Sequence, residues 1–422
     1  MEAFPQWIII LIGAIILSRV VALLARRFGL PNTSVQILFG ILLGSSALNL
    51  LEVPMVLGTW GSPSSGPLHG VLKILAEIGL IQLMFLAGLK VDWRELKKNL
   101  NLSLSVGAWG FLLTAVSVAI LTRLFVDRWS EALAMGAILS ASSFGISIYC
   151  LSESKDLDSR IAVTVSGAAI LSGLLAILLM IASRATNYAV IHGAYKMTIA
   201  VSWFLSKLIM FFAIVYFLTS RFLRLASKSD FSKRPRQMLI GYLLLVAALY
   251  GWAAMHFGSF AAVGVASLGG GLLGTSNQEV KERIRVGFES ILASIPVGIL
   301  LMVLGIEVNL KAAEGSILFL TALLIGVIGM KLIGCWVATN KGYPSSRERI
   351  FVIFGVLAQG EMGIVIAAYL FSRGVLNPQL FSVGILVGVG LTTVAPIVMR
   401  LASTKFGVRT LPVHTSREFR KV

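Results

Sequence analysis

Two charged residues lie deep within long apolar stretches: Lys331 in GVIGMKLIGCWVA (Gly326–Ala338) and Glu361 in LAQGEMG (Leu357–Gly363). A charge at the centre of a bilayer costs about 2.5–3.5 kcal/mol on insertion scales, so residues of this kind are paired and mark ion or proton paths. Ser142 and Ser143, within SASSFGIS (Ser140–Ser147), add hydroxyls, and Gln359 stands two residues before Glu361. A serine hydroxyl can ligate Na+ or K+ but does not release a proton near neutral pH. The chemistry on offer is the holding of ions. The bland alternatives are a structural Lys331–Glu361 ion pair and helix packing through small residues.

The remaining polar residues say less. Snorkelling to the interface accounts for Lys73 and Arg19, which sit nearer span ends. Glu77 and Gln82 either line a pathway or bond to a neighbouring helix. His69, His192, His256 and His414 are scattered, without metal-ligand spacing. GGGLLG (Gly269–Gly274) has no P-loop lysine. No enzyme chemistry, metal or cofactor is expected. Cys150 and Cys335, both in apolar runs, read as packing residues.

The elements that must position these groups are transmembrane helices. The chain is 57% hydrophobic and 13% charged, and apolar runs of roughly 18–23 residues, each long enough to cross a bilayer, follow one another. They fall at about 6–25, 33–50, 70–89, 101–122, 131–151, 161–182, 197–219, 238–256, 258–274, 287–306, 316–338, 350–371 and 380–401. The expected fold is therefore an all-α membrane protein of about thirteen spans. MEAFPQW lacks a basic leader region, so the first span is expected to be retained.

With the N-terminus outside, 26 basic residues fall in inner loops and the tail, against six outside. This asymmetry follows the positive-inside rule. It also accounts for the net charge of +17 as a cytoplasmic face near anionic lipid, without nucleic acid. The expected setting is a bacterial-type inner membrane with a cytoplasmic C-terminus.

An internal repeat orders the spans. FLAGLKVDW (Phe85–Trp93) returns in weaker form as LMVLGIEVNL (Leu301–Leu310), with Gly88 and Gly305 lying 217 residues apart. The first copy closes the third span and the second closes the tenth. Seven spans separate them, an odd number, so the two copies cross the membrane in opposite directions. Gly145-Ile146 and Gly363-Ile364 keep nearly the same offset, 218 residues. The interrupted stretches Ser140–Ser147 and Leu357–Gly363 thus fall in corresponding helices of an inverted repeat. Polar, Gly-rich breaks of that kind point to a midplane site built from two broken, crossing helices.

Several of these segments resemble one family. LPNTSVQILFGILLG (Leu30–Gly44), LAEIGLIQLMFLAGLKVDWREL (Leu75–Leu96), SASSFGIS, AAVGVASLGGGLLG (Ala261–Gly274), MVLGIEVNL and QGEMG (Gln359–Gly363) are similar to the monovalent cation:proton antiporters of the Kef/Nap type. The likeness covers nearly the whole chain in matching order. It implies a homodimer in a lipid bilayer and elevator-type exchange of a monovalent cation for protons. The transporter domain is expected over 1–402, with core candidates 101–182 and 316–401, dimerisation or scaffold candidates 6–89 and 197–306, and a short tail at 403–422. Lys331 aligns with the family's buried lysine and Glu361 with the glutamate of its R-G-E motif.

Three positions depart from that pattern. Ser172-Gly173, within VSGAAILSGLLAILLM (Val165–Met180), stand where the family's sixth-span acidic pair is expected, and no Asp or Glu occurs between Arg160 and Asp230. Gln359 replaces the arginine of R-G-E, and Lys90 follows FLAGL in place of an acid. The coupling candidates are thus Glu361, Lys331, Gln359, Ser142, Ser143, Ser172 and Gly173, arranged for an atypical exchange. Two alternatives stay open: a transporter of an anionic or zwitterionic solute drawn by Lys331, or a transport-inactive membrane partner protein.

Overall fold

The computed structural model describes residues 6–27, 32–44, 75, 100–142, 159–192, six positions between 198 and 210, 291–306, 308–311, 315–340, 342–343, 345–357, 359 and 361–405. In chain order its helices are α1 (Gln6–Arg27), α2 (Asn32–Leu43), α3 (Leu100–Phe125), α4 (Trp129–Ser140) and α5 (Ser159–His192). They are followed by α6 (Ile291–Ile306), α7 (Ile317–Thr339), α8 (Ser346–Leu357), α9 (Glu361–Ser372) and α10 (Pro378–Lys405). There is no strand among the described residues.

Five described segments are long and apolar enough to cross a membrane: Leu100–Phe125, Val163–Val190, Ile317–Thr339, Glu348–Phe371 and Pro378–Ala395. They coincide with the expected fourth, sixth, eleventh, twelfth and thirteenth spans. The third span, but for Leu75, and the eighth and ninth fall outside the described residues, as do FLAGLKVDW, Lys90 and Ser143, and the seventh is described at six positions.

The chain divides into two compact units. One comprises Met1–Arg19, Asn49–Arg94 and Tyr188–Leu304; within it, the stretch of α6 from Ile299 to Leu304 is buried at every residue. The other comprises Val20–Leu48, Glu95–Asn187 and Gly305–Val422, and it holds every described coupling candidate.

In that second unit, α3 and α7 run against each other. Their approach depends on Gly334: a Cβ there would lie 2.5 Å from the Trp109 carbonyl oxygen, so only glycine lets the backbones come this close. The outer faces of the pair expose Leu112, Val116 and Ile120 on α3 and Leu318, Ile325 and Ile333 on α7, as expected of surfaces against lipid. The inner faces, with α5 and α8, enclose a core of Val106, Val165, Ala168, Cys335, Phe351, Val352 and Val356.

One end of this core is closed by Tyr343, in the short connection from α7 to α8. Its hydroxyl shares a 2.8 Å hydrogen bond with Thr164 Oγ1 and donates to the Arg160 carbonyl at 3.2 Å. The Arg160 guanidinium lies 5.0 Å from the ring centre, and Arg349 Nε donates to the Tyr343 carbonyl at 2.6 Å. The Tyr343 N–H returns to the Thr339 carbonyl at 3.0 Å. The start of α5 and the end of α7 are therefore fastened at one point. Thr164 lies eight residues from Ser172, and Thr339 eight from Lys331. At about 1.5 Å of rise per residue, both candidates sit roughly two turns from the fastening.

Candidate functional site

α4 stops inside an apolar segment. Ser140 turns its hydroxyl back to the Gly136 carbonyl at 2.6 Å, and Ala141 leaves the helix with φ −60° and ψ 134°. A helix that ends this way presents unbonded carbonyls and the negative end of its dipole. In a membrane these groups require protein partners, and the partners come from distant parts of the chain.

Gln359 Nε2 donates to the Leu139 carbonyl. Lys331 Nζ donates to the Ala141 carbonyl at 3.5 Å. The Ser142 N–H donates to Ser172 Oγ at 3.1 Å, and that hydroxyl donates in turn to the Ala169 carbonyl at 2.9 Å. Lys331, at 1% exposed, is among the most completely buried side chains described. A cation at the carboxyl end of a half-helix opposes the helix dipole, which favours its placement there.

The second interruption meets the first. α8 ends at Leu357 and α9 begins at Glu361, with Gln359 outside both helices. The Gln359 carbonyl accepts from Thr392 Oγ1 of α10, which also donates to the Gly388 carbonyl at 2.7 Å. α9 then packs tightly on α4: a Cβ at Gly363 would lie 2.6 Å from the Ile138 carbonyl oxygen. Gly173 faces Met362 in the first turn of α9, where a Cβ would lie 3.3 Å from Met362 Cε.

Four expected residues, Ser142, Ser172, Lys331 and Gln359, therefore gather at the end of α4, and Gly173 abuts the start of α9. Glu361 opens α9; its side chain, like Ser143, lies outside the described residues. Sequence reasoning did not find the carbonyls of Leu139 and Ala141, nor Thr392 or Tyr343. The Thr392-Thr393 pair inside an apolar span was the available signal for Thr392. Among the described residues no group of three or more His, Cys, Asp or Glu could hold a metal. The site is an assembly of hydroxyls, carbonyls and one ammonium group, suited to binding small ions.

Comparison with known proteins gives this geometry a setting. Residues 12–403 match the family described as "Sodium/hydrogen exchanger, transmembrane". The Na+/H+ antiporter of Enterococcus hirae is 23% identical over 385 residues, covering 90% of this chain and 94% of its own length. The probable Na+/H+ antiporter GerT of Bacillus cereus is 24% identical over 356 residues, covering 84% of this chain and 88% of its own. The glutathione-regulated potassium-efflux system protein KefC of Klebsiella pneumoniae is 23% identical over 323 residues, covering 75% of this chain and 49% of its own. Among solved structures, the sodium proton antiporter MjNhaP1 of Methanocaldococcus jannaschii shares the fold with a TM-score of 0.70 at 15% identity, covering 95% of this chain and 97% of that one.

Proposed function

The chain belongs to the sodium/hydrogen exchanger family of transmembrane proteins, and from that premise we propose that it is a secondary transporter exchanging a monovalent cation for protons. The names of its relatives make Na+ and K+ the ions to try first. The observation that carries the reading is the meeting of two helix interruptions, with Ser142, Ser172, Lys331 and Gln359 gathered where they cross. Ser172 and Gly173 cannot host the competition between cation and proton that a carboxylate allows. Coupling therefore passes to Glu361, working with Lys331 and the hydroxyls of Ser142, Ser143 and Ser172.

The further architecture belongs to the same proposal: thirteen spans in an inverted repeat, a homodimer, and a core of 101–182 and 316–401 that moves against a scaffold of 6–89 and 197–306. The second compact unit takes in both core stretches, which supports grouping them, and it also holds Val20–Leu48 of the scaffold candidate 6–89. The excess of basic residues in one set of loops supports an inner-membrane setting with the N-terminus outside.

Vesicles containing the purified chain test the reading. An imposed Na+ or K+ gradient should move protons, and Glu361→Gln and Lys331→Ala should each abolish the movement. Cation-independent uptake of an anionic or zwitterionic solute, lost in Lys331→Ala, would assign the site to that solute instead. No flux under any gradient, in folded protein, would make the chain a membrane partner rather than a transporter.

A further inference from the structure

We propose that Lys331 and Ser142 form a binding site for a small monovalent anion, chloride or a short carboxylate, beside the carboxyl end of α4. An ammonium group carries three N–H donors. The Ala141 carbonyl takes one of them, at 3.5 Å. Among the described residues no carboxylate pairs with Lys331, which is 1% exposed. Ser142, the residue after Ala141, has a buried Oγ without a hydrogen-bond partner among those residues. The bonds that Ser172 Oγ makes go elsewhere: it donates to the Ala169 carbonyl and accepts the Ser142 N–H.

The Lys331 ammonium and the Ser142 hydroxyl thus both have donors to spare on either side of the Ala141 carbonyl, and a small anion is an acceptor that would satisfy both. A buried ammonium calls for a counter-charge. The antiporter resemblance puts an acidic pair at the positions that here carry Ser172 and Gly173. Bound there, the anion would do the electrostatic work of the acid these residues replace. It would neutralise Lys331 and give an entering cation a negative neighbour. The inference does not require that the chain exchange ions, since binding is read on the purified protein.

The test is the thermal stability of the detergent-solubilised chain in sodium chloride, sodium formate and sodium gluconate, at a common ionic strength of about 0.1 M. Chloride, formate or both should raise Tm by roughly 3 °C or more over gluconate, which is too large for the site. A response to chloride alone identifies a halide site, and one to formate alone a carboxylate site. Lys331→Met should abolish the difference. Ser172→Asp should also abolish it, because the new carboxylate, on the residue bonded to the Ser142 N–H, takes the anion's place. Equal Tm in all three salts would overturn the proposal. So would an anion response that persists in Lys331→Met, or, should that variant fail to fold, one unchanged in both Ser172→Asp and Ser142→Ala. Exchange in vesicles without anion-dependent stability would defeat this inference and leave the transport reading standing.

Discussion

Ser172 Oγ accepts the backbone N–H of Ser142 at 3.1 Å and passes its own proton to the Ala169 carbonyl at 2.9 Å. One hydroxyl thereby satisfies the first backbone donor beyond Ala141, where the chain has left α4. A carboxylate could make the first bond, but it has no proton for the second. The serine is committed to holding the break in place, which removes it from proton exchange.

Ser172→Ala should lower stability by about 1–3 kcal/mol, because it leaves the buried Ser142 N–H without an acceptor. Ser206→Ala makes the control, since that exposed hydroxyl donates to the carbonyl of Ser202, four residues earlier, and should cost little. Thermal unfolding of the two purified variants provides the measurement. Equal Tm values would contradict the assignment.

Gln359 serves as a donor to the Leu139 carbonyl. Gln359→Ala, which deletes the donor, should cost about 1–3 kcal/mol. Gln359→Glu sets an acceptor against an acceptor in a buried site, so it should be the more damaging of the two. The order of their melting temperatures decides the point.

The two glycines at the crossing should respond differently to a methyl group. A Cβ at Gly363 meets backbone at 2.6 Å, whereas one at Gly173 meets the mobile tip of Met362 at 3.3 Å. Gly363→Ala should therefore cost about 1–3 kcal/mol, and Gly173→Ala about 1 kcal/mol or less. Expression and Tm of both variants, compared side by side, would show it.

That tolerance permits a functional experiment. Ser172→Asp combined with Gly173→Asp restores the acidic pair that the antiporter resemblance leads one to expect. In vesicles the double variant should move protons in response to a cation gradient even if the wild type does not. Failure in folded protein would count against the proposed exchange on this scaffold.

Tyr343→Phe removes the hydroxyl bonds to Thr164 and the Arg160 carbonyl while keeping the ring, and should cost about 1–2 kcal/mol. Tyr343→Ala also empties a fully buried volume and should cost about 3–5 kcal/mol. Denaturation of the two variants should separate these contributions.

Much of this was legible in the sequence because bilayer thickness converts apolar run length into helix length. The runs at 101–122 and 316–338 differ from Leu100–Phe125 and Ile317–Thr339 by a few residues at most. The break in the twelfth span was legible in LAQGEMG, and the end of α4 in SASSFGIS, because glycine and serine clusters stand out against leucine and valine. The partners of those breaks were not. Gln359 and Leu139 are 220 residues apart and Lys331 and Ala141 are 190 apart, and no local periodicity encodes such a pairing. Tyr343 escaped notice because one tyrosine in a short polar loop looks like any interfacial aromatic.

The order of synthesis gives the broken helix α4 a history. Its last residues leave the ribosome long before their partners: Leu139 precedes Gln359 by 220 residues, and Ala141 precedes Lys331 by 190. Until those residues are made, the bared carbonyls have neither donor in place. The carboxyl-terminal half of the chain thus acts as an assembly factor for the amino-terminal half. A chain truncated after α6 should be recognised by membrane quality control as unfinished, even with α4 already synthesised.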